Sequence, residues 1–135
     1  MYKAETKIRV RYGETDQMGV VYYGVYAMYY EVGRVESLRQ LGLSYRQLEE
    51  TGILLPVLEN FSRYWAPARY DDELTVATTI KEKPGVRIRF DYEIFNQQGA
   101  KLNEGHTLLV FVNKETGKPT RPPEIFEALI KNYFA

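Results

Sequence analysis

The chain has 135 residues, with 18 Lys and Arg, 18 Asp and Glu, and no formal net charge. This length suits a single domain over residues 1–135, and the balanced charge lacks the basic excess typical of nucleic-acid-binding proteins. The absence of cysteine excludes disulfides, thiolate metal sites and cysteine nucleophiles.

The N-terminal residues contain no apolar signal core. No stretch approaches the roughly 20 apolar residues that a membrane span requires. A chain without cysteine also suits a reducing compartment. We therefore expect a cytoplasmic protein without a membrane span.

A strand pattern opens the chain. Residues 6–12 alternate, with Ile8, Val10 and Tyr12 on one face and cationic residues on the other. This period of two predicts a half-buried strand. A glycine-containing loop over 13–22 follows.

A long helix is predicted next. From residue 23 to Leu41 apolar residues recur every three or four positions, and Gly42 is a suitable stop. The predicted buried stripe comprises Val25, Met28, Val32, Val35 and Leu38 or Arg39. Tyr29 and Tyr30 are predicted packing residues. Gly33 costs about 1 kcal/mol relative to alanine, which indicates close packing of the helix against another element.

Four strands dominate the remaining sequence. The patterns predict a short helix over 44–50, strands over 53–66, 73–82, 86–95 and 101–112, and a last helix opened by Pro122 and Pro123. In the third of these strands Val86, Ile88, Phe90, Tyr92 and Ile94 are predicted to face inward. Short turns join antiparallel neighbours. The order therefore predicts an α+β fold, with one long helix on one face of an antiparallel sheet.

The loop before the long helix holds the candidate chemistry. Asp16 stands seven residues before Tyr23, where the helix is predicted to begin. A helix start carries unpaired amides that can stabilise a carbonyl oxygen becoming negative during acyl transfer. A carboxylate facing that carbonyl could attack it or deprotonate a water. The alternative interpretation of Asp16 is a turn or cap residue.

The residues around this loop resemble a known family. From Val10 to Glu36 the chain reads VRYGETDQMGVVYYGVYAMYYEVGRVE, which is similar to the signature of 4-hydroxybenzoyl-CoA thioesterase-like hotdog proteins. The segment PARYDDELTV at 67–76 and, more weakly, GKPTRPPE at 117–124 add to the resemblance. It covers nearly the whole chain. It implies a hotdog fold, in which a five-stranded antiparallel sheet wraps a long central helix.

The resemblance also implies roles for individual residues. Asp16 matches the family's catalytic carboxylate, which acts as nucleophile or general base. The backbone amide of Tyr23 matches the group that polarises the thioester carbonyl. Tyr22, Gly24 and Tyr26 stand near the same turn, and we expect them to bind substrate. Many bacterial relatives carry histidine at the position of Tyr23, so an imidazole is missing here.

The function implied is hydrolysis of acyl-CoA to free acid and CoA, with neither a metal nor a cofactor. Two alternatives stay open: an acyl-ACP thioesterase, which differs only in the carrier, and a hotdog protein that binds acyl-CoA without turnover. Family members commonly form homodimers or homotetramers by joining sheet edges. We therefore expect residues 58–64 of one subunit to form the second wall of the other subunit's site.

Other polar residues carry less weight. Glu31 is the alternative acid, although we expect it to pair with Arg34 or Arg69 or to cap a buried polar cluster. His106, the only histidine, is assigned a structural role, and a single histidine without cysteine argues against a zinc site. Four arginines could meet the CoA phosphates, although solvation on an exposed sheet face explains them better. They are Arg63, Arg69, Arg87 and Arg89.

Overall fold

A five-stranded antiparallel sheet carries one long helix on its inner face. The computed structural model describes residues 1–135. The strands are β1 (Tyr2–Arg9), β2 (Ile53–Leu54), β3 (Val57–Tyr64), β4 (Glu73–Ile80), β5 (Arg87–Phe95), β6 (Lys101–Val110) and β7 (Val112–Asn113). The helices are α1 (Tyr26–Leu41), α2 (Tyr45–Glu50) and α3 (Glu124–Ile130). None of these helices combines the length and apolarity needed to cross a membrane.

The main sheet has the strand order β1-β4-β5-β6-β3, while β2 and β7 form a separate two-stranded ladder. All pairings are antiparallel, and β1 pairs with β4 from Tyr2 opposite Ile80 to Arg9 opposite Glu73. Tight connections join β4 to β5 and β5 to β6, as the turn signals indicate. The predicted α+β arrangement of one long helix on a five-stranded antiparallel sheet is therefore confirmed.

The buried face of helix α1 matches the predicted stripe only in part, at Leu38. Met28 and Val32 of the predicted stripe are 54% and 40% exposed. The buried side instead comprises Tyr26, Tyr29, Tyr30, Gly33, Arg34, Ser37, Leu38 and Leu41. The prediction of packing roles for Tyr29 and Tyr30 is confirmed, since they are 2% and 0% exposed. Aromatic rings bury more area than methionine or valine side chains, so the helix turns its tyrosines to the sheet.

Two glycines shape α1: one lets the helix pack closely on β4, and the other ends it. A Cβ on Gly33 would lie 2.8 Å from Thr78 Oγ1 and 2.8 Å from Val76 Cγ1 on β4. The helix therefore packs against the sheet at a distance that only glycine permits, as its sequence suggested. Gly42 ends the helix with φ 114°, a left-handed conformation that favours glycine.

Several strand boundaries differ from the prediction. β1 ends at Arg9, and Tyr12 lies on a short 3₁₀ turn with 79% of its surface exposed. The predicted strand over 53–66 divides into β2 and β3 at Pro56, because proline cannot donate a ladder hydrogen bond. Val86 precedes β5 and is 38% exposed rather than facing inward.

Strand β3 forms an open edge of the sheet. It pairs only with β6, and all of its residues except Ser62 are exposed. The apolar side chains on and beside this edge are 43–56% exposed: Val57, Leu58, Phe61, Tyr64 and Trp65. An apolar open edge is a surface on which another strand can pair.

We expect Gly33→Ala to destabilise the protein. Alanine removes the roughly 1 kcal/mol penalty of glycine in a helix, but its methyl group would clash with Thr78 and Val76. Overpacking a filled core costs about 1–3 kcal/mol. Urea unfolding should therefore show a lower midpoint for this variant, whereas Arg39→Ala on the exposed side of α1 should leave it nearly unchanged. Unchanged stability in Gly33→Ala would contradict the close contact.

Candidate active site

Residues 14–22 form a tight hairpin with Asp16 near its tip. The Tyr22 amide donates to Glu14 O at 2.9 Å, and the Asp16 amide donates to Val20 O at 2.8 Å. Gly19 completes the turn with φ 79° and donates to Asp16 O at 2.9 Å. The predicted loop is therefore an ordered element whose main-chain bonds fix Asp16.

The Asp16 carboxylate is oriented through one of its oxygens. Oδ1 accepts a hydrogen bond from the Met18 amide at 2.8 Å and a longer one, 3.5 Å, from the Val20 amide. The turn role considered for Asp16 is thus present. No group of the chain donates to Oδ2, so this oxygen can take part in chemistry while Oδ1 holds the side chain in place.

The start of the long helix follows this hairpin directly. Residues Tyr23–Val25 form a 3₁₀ turn that continues into α1. The Val25 amide donates to Tyr22 O, whereas the amides of Tyr23 and Gly24 donate to no oxygen of the chain. They are orphan donors at a helix start, where the partial charge is positive. The predicted helix start at residue 23 therefore agrees with the structure.

A mostly apolar pocket of about 340 Å³ lies beside the hairpin and the helix start. It is lined by Asp16, Met18, Val20, Val21, Tyr23, Tyr26, Tyr64, Trp65, Ala66 and Pro67. Asp16, Tyr23 and Tyr26 of the predicted site therefore come together. Tyr22 and Gly24 do not line this pocket; a Cβ on Gly24 would lie 2.9 Å from the Tyr22 ring. Their predicted binding role stays a prediction.

Strand β3 supplies a wall of this pocket. The Tyr64 hydroxyl donates to Tyr23 O at 3.3 Å, and the rings of Tyr26 and Tyr64 meet edge to face at 5.2 Å. Burial raises the pKa of Tyr26, so its hydroxyl stays protonated near neutral pH. The sequence assigned residues 58–64 to the partner's site, whereas Tyr64 lines the pocket of its own chain. Its hydrogen bond to Tyr23 spans 41 positions, which no local pattern shows.

Glu31 lies in a different pocket. It lines a cavity of about 270 Å³ between α1 and β3, together with Arg34, Asn60 and Thr107. The predicted pairing of Glu31 with Arg34 or Arg69 is wrong, since Glu31 forms no salt bridge. Arg34 is 7% exposed and reaches the Tyr92 hydroxyl at 3.4 Å.

The histidine does not line the Asp16 pocket, whereas Arg69 pairs by a β-bridge with Val20 of the hairpin. His106 Nε2 is 2.6 Å from Glu59 Oε1, and its ring stacks on Phe61. Arg63 lies over the rings of Phe61 and Trp65, and Arg89 pairs with Asp91 at 3.1 Å. These contacts are structural, and none places an imidazole near the hairpin.

Glu14 is a well-connected carboxylate that the sequence did not single out. Oε1 accepts from the Arg11 amide at 2.8 Å and from the Tyr29 hydroxyl at 2.9 Å. The Arg11 guanidinium donates to Oε2 at 3.1 Å. Burial acts to raise the pKa of Glu14, but these hydrogen bonds and the guanidinium charge outweigh it and lower the pKa.

We expect Glu14 to make stability sensitive to acid. A lowered pKa in the folded state adds stability above the unfolded pKa, and this contribution is lost as pH falls through the folded pKa. Glu14→Gln should therefore unfold more easily than the wild type at about pH 7, with a gap that narrows toward about pH 3. Urea unfolding across this range measures the gap. Glu82→Gln, at an exposed turn, should run parallel to the wild type; a constant gap for Glu14→Gln would contradict the prediction.

Two bacterial proteins are similar to this chain over most of its length. The putative acyl-CoA thioesterase YneP of Bacillus subtilis (strain 168) is 35% identical over 119 residues, 88% of this chain and 86% of its own. The acyl-CoA thioester hydrolase YbgC of Escherichia coli O6:H1 is 36% identical over 124 residues, 92% of each chain.

A solved structure and a family model also match this chain. The structure of DHNA-CoA thioesterase from Staphylococcus aureus matches with a TM-score of 0.91 at 35% identity, over 98% of this chain and 89% of that one. The predicted hotdog fold and thioesterase relationship are thereby confirmed. The model of the thioesterase-like superfamily matches residues 10–130, and the chain therefore belongs to this superfamily.

Proposed function

We propose that this protein hydrolyses acyl-CoA thioesters to a free acid and CoA. The observation that carries the proposal is one apolar pocket lined by both Asp16 and Tyr23, at the start of α1 where the Tyr23 amide is unpaired. Such a site joins a base or nucleophile to an oxyanion-stabilising donor. The names of YneP and YbgC support acyl-CoA as the substrate.

The reaction starts with the thioester carbonyl oxygen on the Tyr23 amide. In the general-base route Asp16 takes a proton from water while the water oxygen bonds to the carbonyl carbon. The carbonyl electron pair moves to the oxygen held by the amide, then returns as the carbon–sulfur bond breaks. CoA leaves as a thiolate, which takes up a proton. In the nucleophilic route an Asp16 oxygen bonds to the carbon and the carbon–sulfur bond breaks to release CoA thiolate, which takes up a proton. Water then hydrolyses the resulting anhydride to the free acid and the Asp16 carboxylate.

The pocket walls suit an apolar acyl group. Tyr23, Tyr26, Tyr64 and Trp65 supply aromatic surface that can pack on an aryl or an aliphatic chain. An acyl carrier protein would present the same thioester, so an acyl-ACP thioesterase is the first alternative. A non-catalytic acyl-CoA binder is the remaining alternative.

The open β3 edge supports assembly into a homodimer, and two dimers can pair into a homotetramer. Joining two β3 edges would cover the apolar residues exposed there and complete the sheet hydrogen bonds. The pocket reaches β3 at Tyr64, so residues 58–64 of a second copy would stand near it. A cytoplasmic location remains part of the proposal, because a chain without cysteine suits a reducing compartment.

The proposed activity is tested by thiol release from short, long and aryl acyl-CoAs. Asp16→Asn keeps an oxygen to accept the Met18 amide but removes the charge, so turnover should fall on the order of 10²-fold or more. Glu31→Gln is the matched control, because it makes the same change in the neighbouring pocket. It should retain most of the activity.

Three outcomes would count against the proposal. Equal activity of Asp16→Asn and the wild type would show that Asp16 is not the catalytic acid. A wild-type protein that is silent on the CoA panel but active on acyl carrier protein would change the carrier. Silence on both carriers, with binding of acyl-CoA retained, would make the chain a binder rather than an enzyme.

The proposed dimer is tested by light scattering after gel filtration. Leu58 is 50% exposed on β3, and a lysine there should disfavour strand pairing and shift the protein toward monomer. Leu54→Lys is the matched control, because Leu54 is 40% exposed on β2, outside the main sheet. A wild-type monomer, or an unchanged assembly in Leu58→Lys, would contradict the β3 interface.

A further inference from the structure

Glu14 connects the Asp16 hairpin to helix α1, and the proposed reaction needs these two parts in a fixed relative position. Its main-chain oxygen accepts the amide of Tyr22, the residue directly before Tyr23. Its side chain accepts the hydroxyl of Tyr29 from the buried face of α1. One residue therefore touches both the base of the Asp16 hairpin and the helix whose first amides are unpaired.

Main-chain pairing holds the hairpin together from its base at Glu14 to the turn beyond Asp16. Glu14 and Tyr22 close its base, Thr15 pairs with Val21, and Asp16 bonds to Val20. A change in the angle of the base would therefore move the Asp16 carboxylate as a whole. The Glu14 side chain is 11% exposed and accepts from both the Arg11 amide and Tyr29, so it has little freedom to shift.

We propose that Glu14 is a positioning residue that, through Tyr29, sets the distance and direction of the Asp16 carboxylate relative to the Tyr23 amide. This inference rests on the proposed thioester hydrolysis. Glu14 does not line the pocket and touches no reacting atom. Its effect is geometric, because a misplacement of about 1 Å between reacting groups can cost about 10²-fold in rate.

A purely structural role is the competing explanation, and the chain offers a matched control for it. Tyr29 and Tyr2 each bury a ring against the core and donate one phenolic hydrogen bond. Tyr29 donates to Glu14, whereas Tyr2 donates to the main-chain oxygen of Ser37, in the second half of α1. Removal of either hydroxyl deletes one bond to or from α1, but only the first bond holds the hairpin.

The experiment compares Tyr29→Phe with Tyr2→Phe in two independent measurements. Turnover on the best acyl-CoA should show kcat about tenfold lower in Tyr29→Phe, with KM within about twofold of the wild type. Hydrogen exchange should be faster at the Asp16, Gly19 and Tyr22 amides, which close the hairpin. Tyr2→Phe should change neither quantity, even where the two variants lose similar thermal stability.

A second pair of variants separates the effect of the length of the Glu14 side chain from the effect of its charge. Glu14→Gln keeps the length of the side chain and an oxygen for Tyr29, so it should retain more kcat than Glu14→Asp, which is one methylene too short to reach both Tyr29 and Arg11. The reverse order would overturn the proposal, because it would mean that the charge of Glu14 acts on the site.

The hydrogen-exchange measurement can be interpreted even if the wild-type protein has no thioesterase activity. If the wild type hydrolyses no thioester, the proposed function fails, and unchanged hairpin exchange in Tyr29→Phe would separately refute the tether. In an active enzyme, a lower kcat without faster hairpin exchange, or faster exchange without a lower kcat, would overturn the positioning role. Only the two changes together support it.

Discussion

The contact between α1 and β4 at Gly33 is the constraint on which the rest of the structure depends. No side chain larger than hydrogen fits between the helix and Val76 or Thr78. The helix can therefore lie close enough for Tyr30 to stack on Tyr92, with 4.2 Å between ring centroids. Gly105 on β6 serves the same packing, since a Cβ there would collide with Tyr30 and with the main-chain oxygen of Phe61.

Because α1 is held in place by this packing, its N-terminal end is also held in place, and the candidate site lies at that end. The hairpin is tied to α1 by Glu14 and Tyr29, and to the segment before β4 by the Val21 amide, which donates to Ala68 O at 2.8 Å. The pocket lies between these attachments and the open β3 edge. Its reactive groups thus depend on packed secondary structure more than on the loop itself, which favours precise geometry.

The sequence predicted those features that local chemistry determines. Alternation located β4 and β5 to within a few residues, and Gly42 ended the helix because the left-handed conformation there disfavours a side chain. The nearness of Asp16 to the helix start followed from the sequence, because Tyr23 comes only seven residues after Asp16. The buried face of α1 was not predictable in the same way, because two apolar stripes compete and only the tertiary contact decides between them.

Long-range features were hidden for the same reason. The strand pattern over 53–66 does not indicate a place in the sheet. The structure puts β3 at an edge, where its surroundings depend on what lies beyond one chain. The role of Tyr64 as a pocket wall needs the register of β3 on β6, which no local pattern encodes. Glu14 was overlooked because its partner Tyr29 becomes a neighbour only when the helix is docked.

The departure from histidine at residue 23 has a structural explanation in the proposed reaction. The ring of Tyr23 is 66% exposed and packs on Tyr22, so its orphan amide is the group available for the oxyanion. A main-chain donor does not depend on the side chain, and either residue can occupy the position. Proton transfer then falls to Asp16, because no histidine or lysine lines the pocket and buried Tyr26 keeps its proton. In the proposed reaction the site therefore separates its two tasks: the helix backbone would stabilise negative charge, and a single carboxylate would handle the proton or the acyl group.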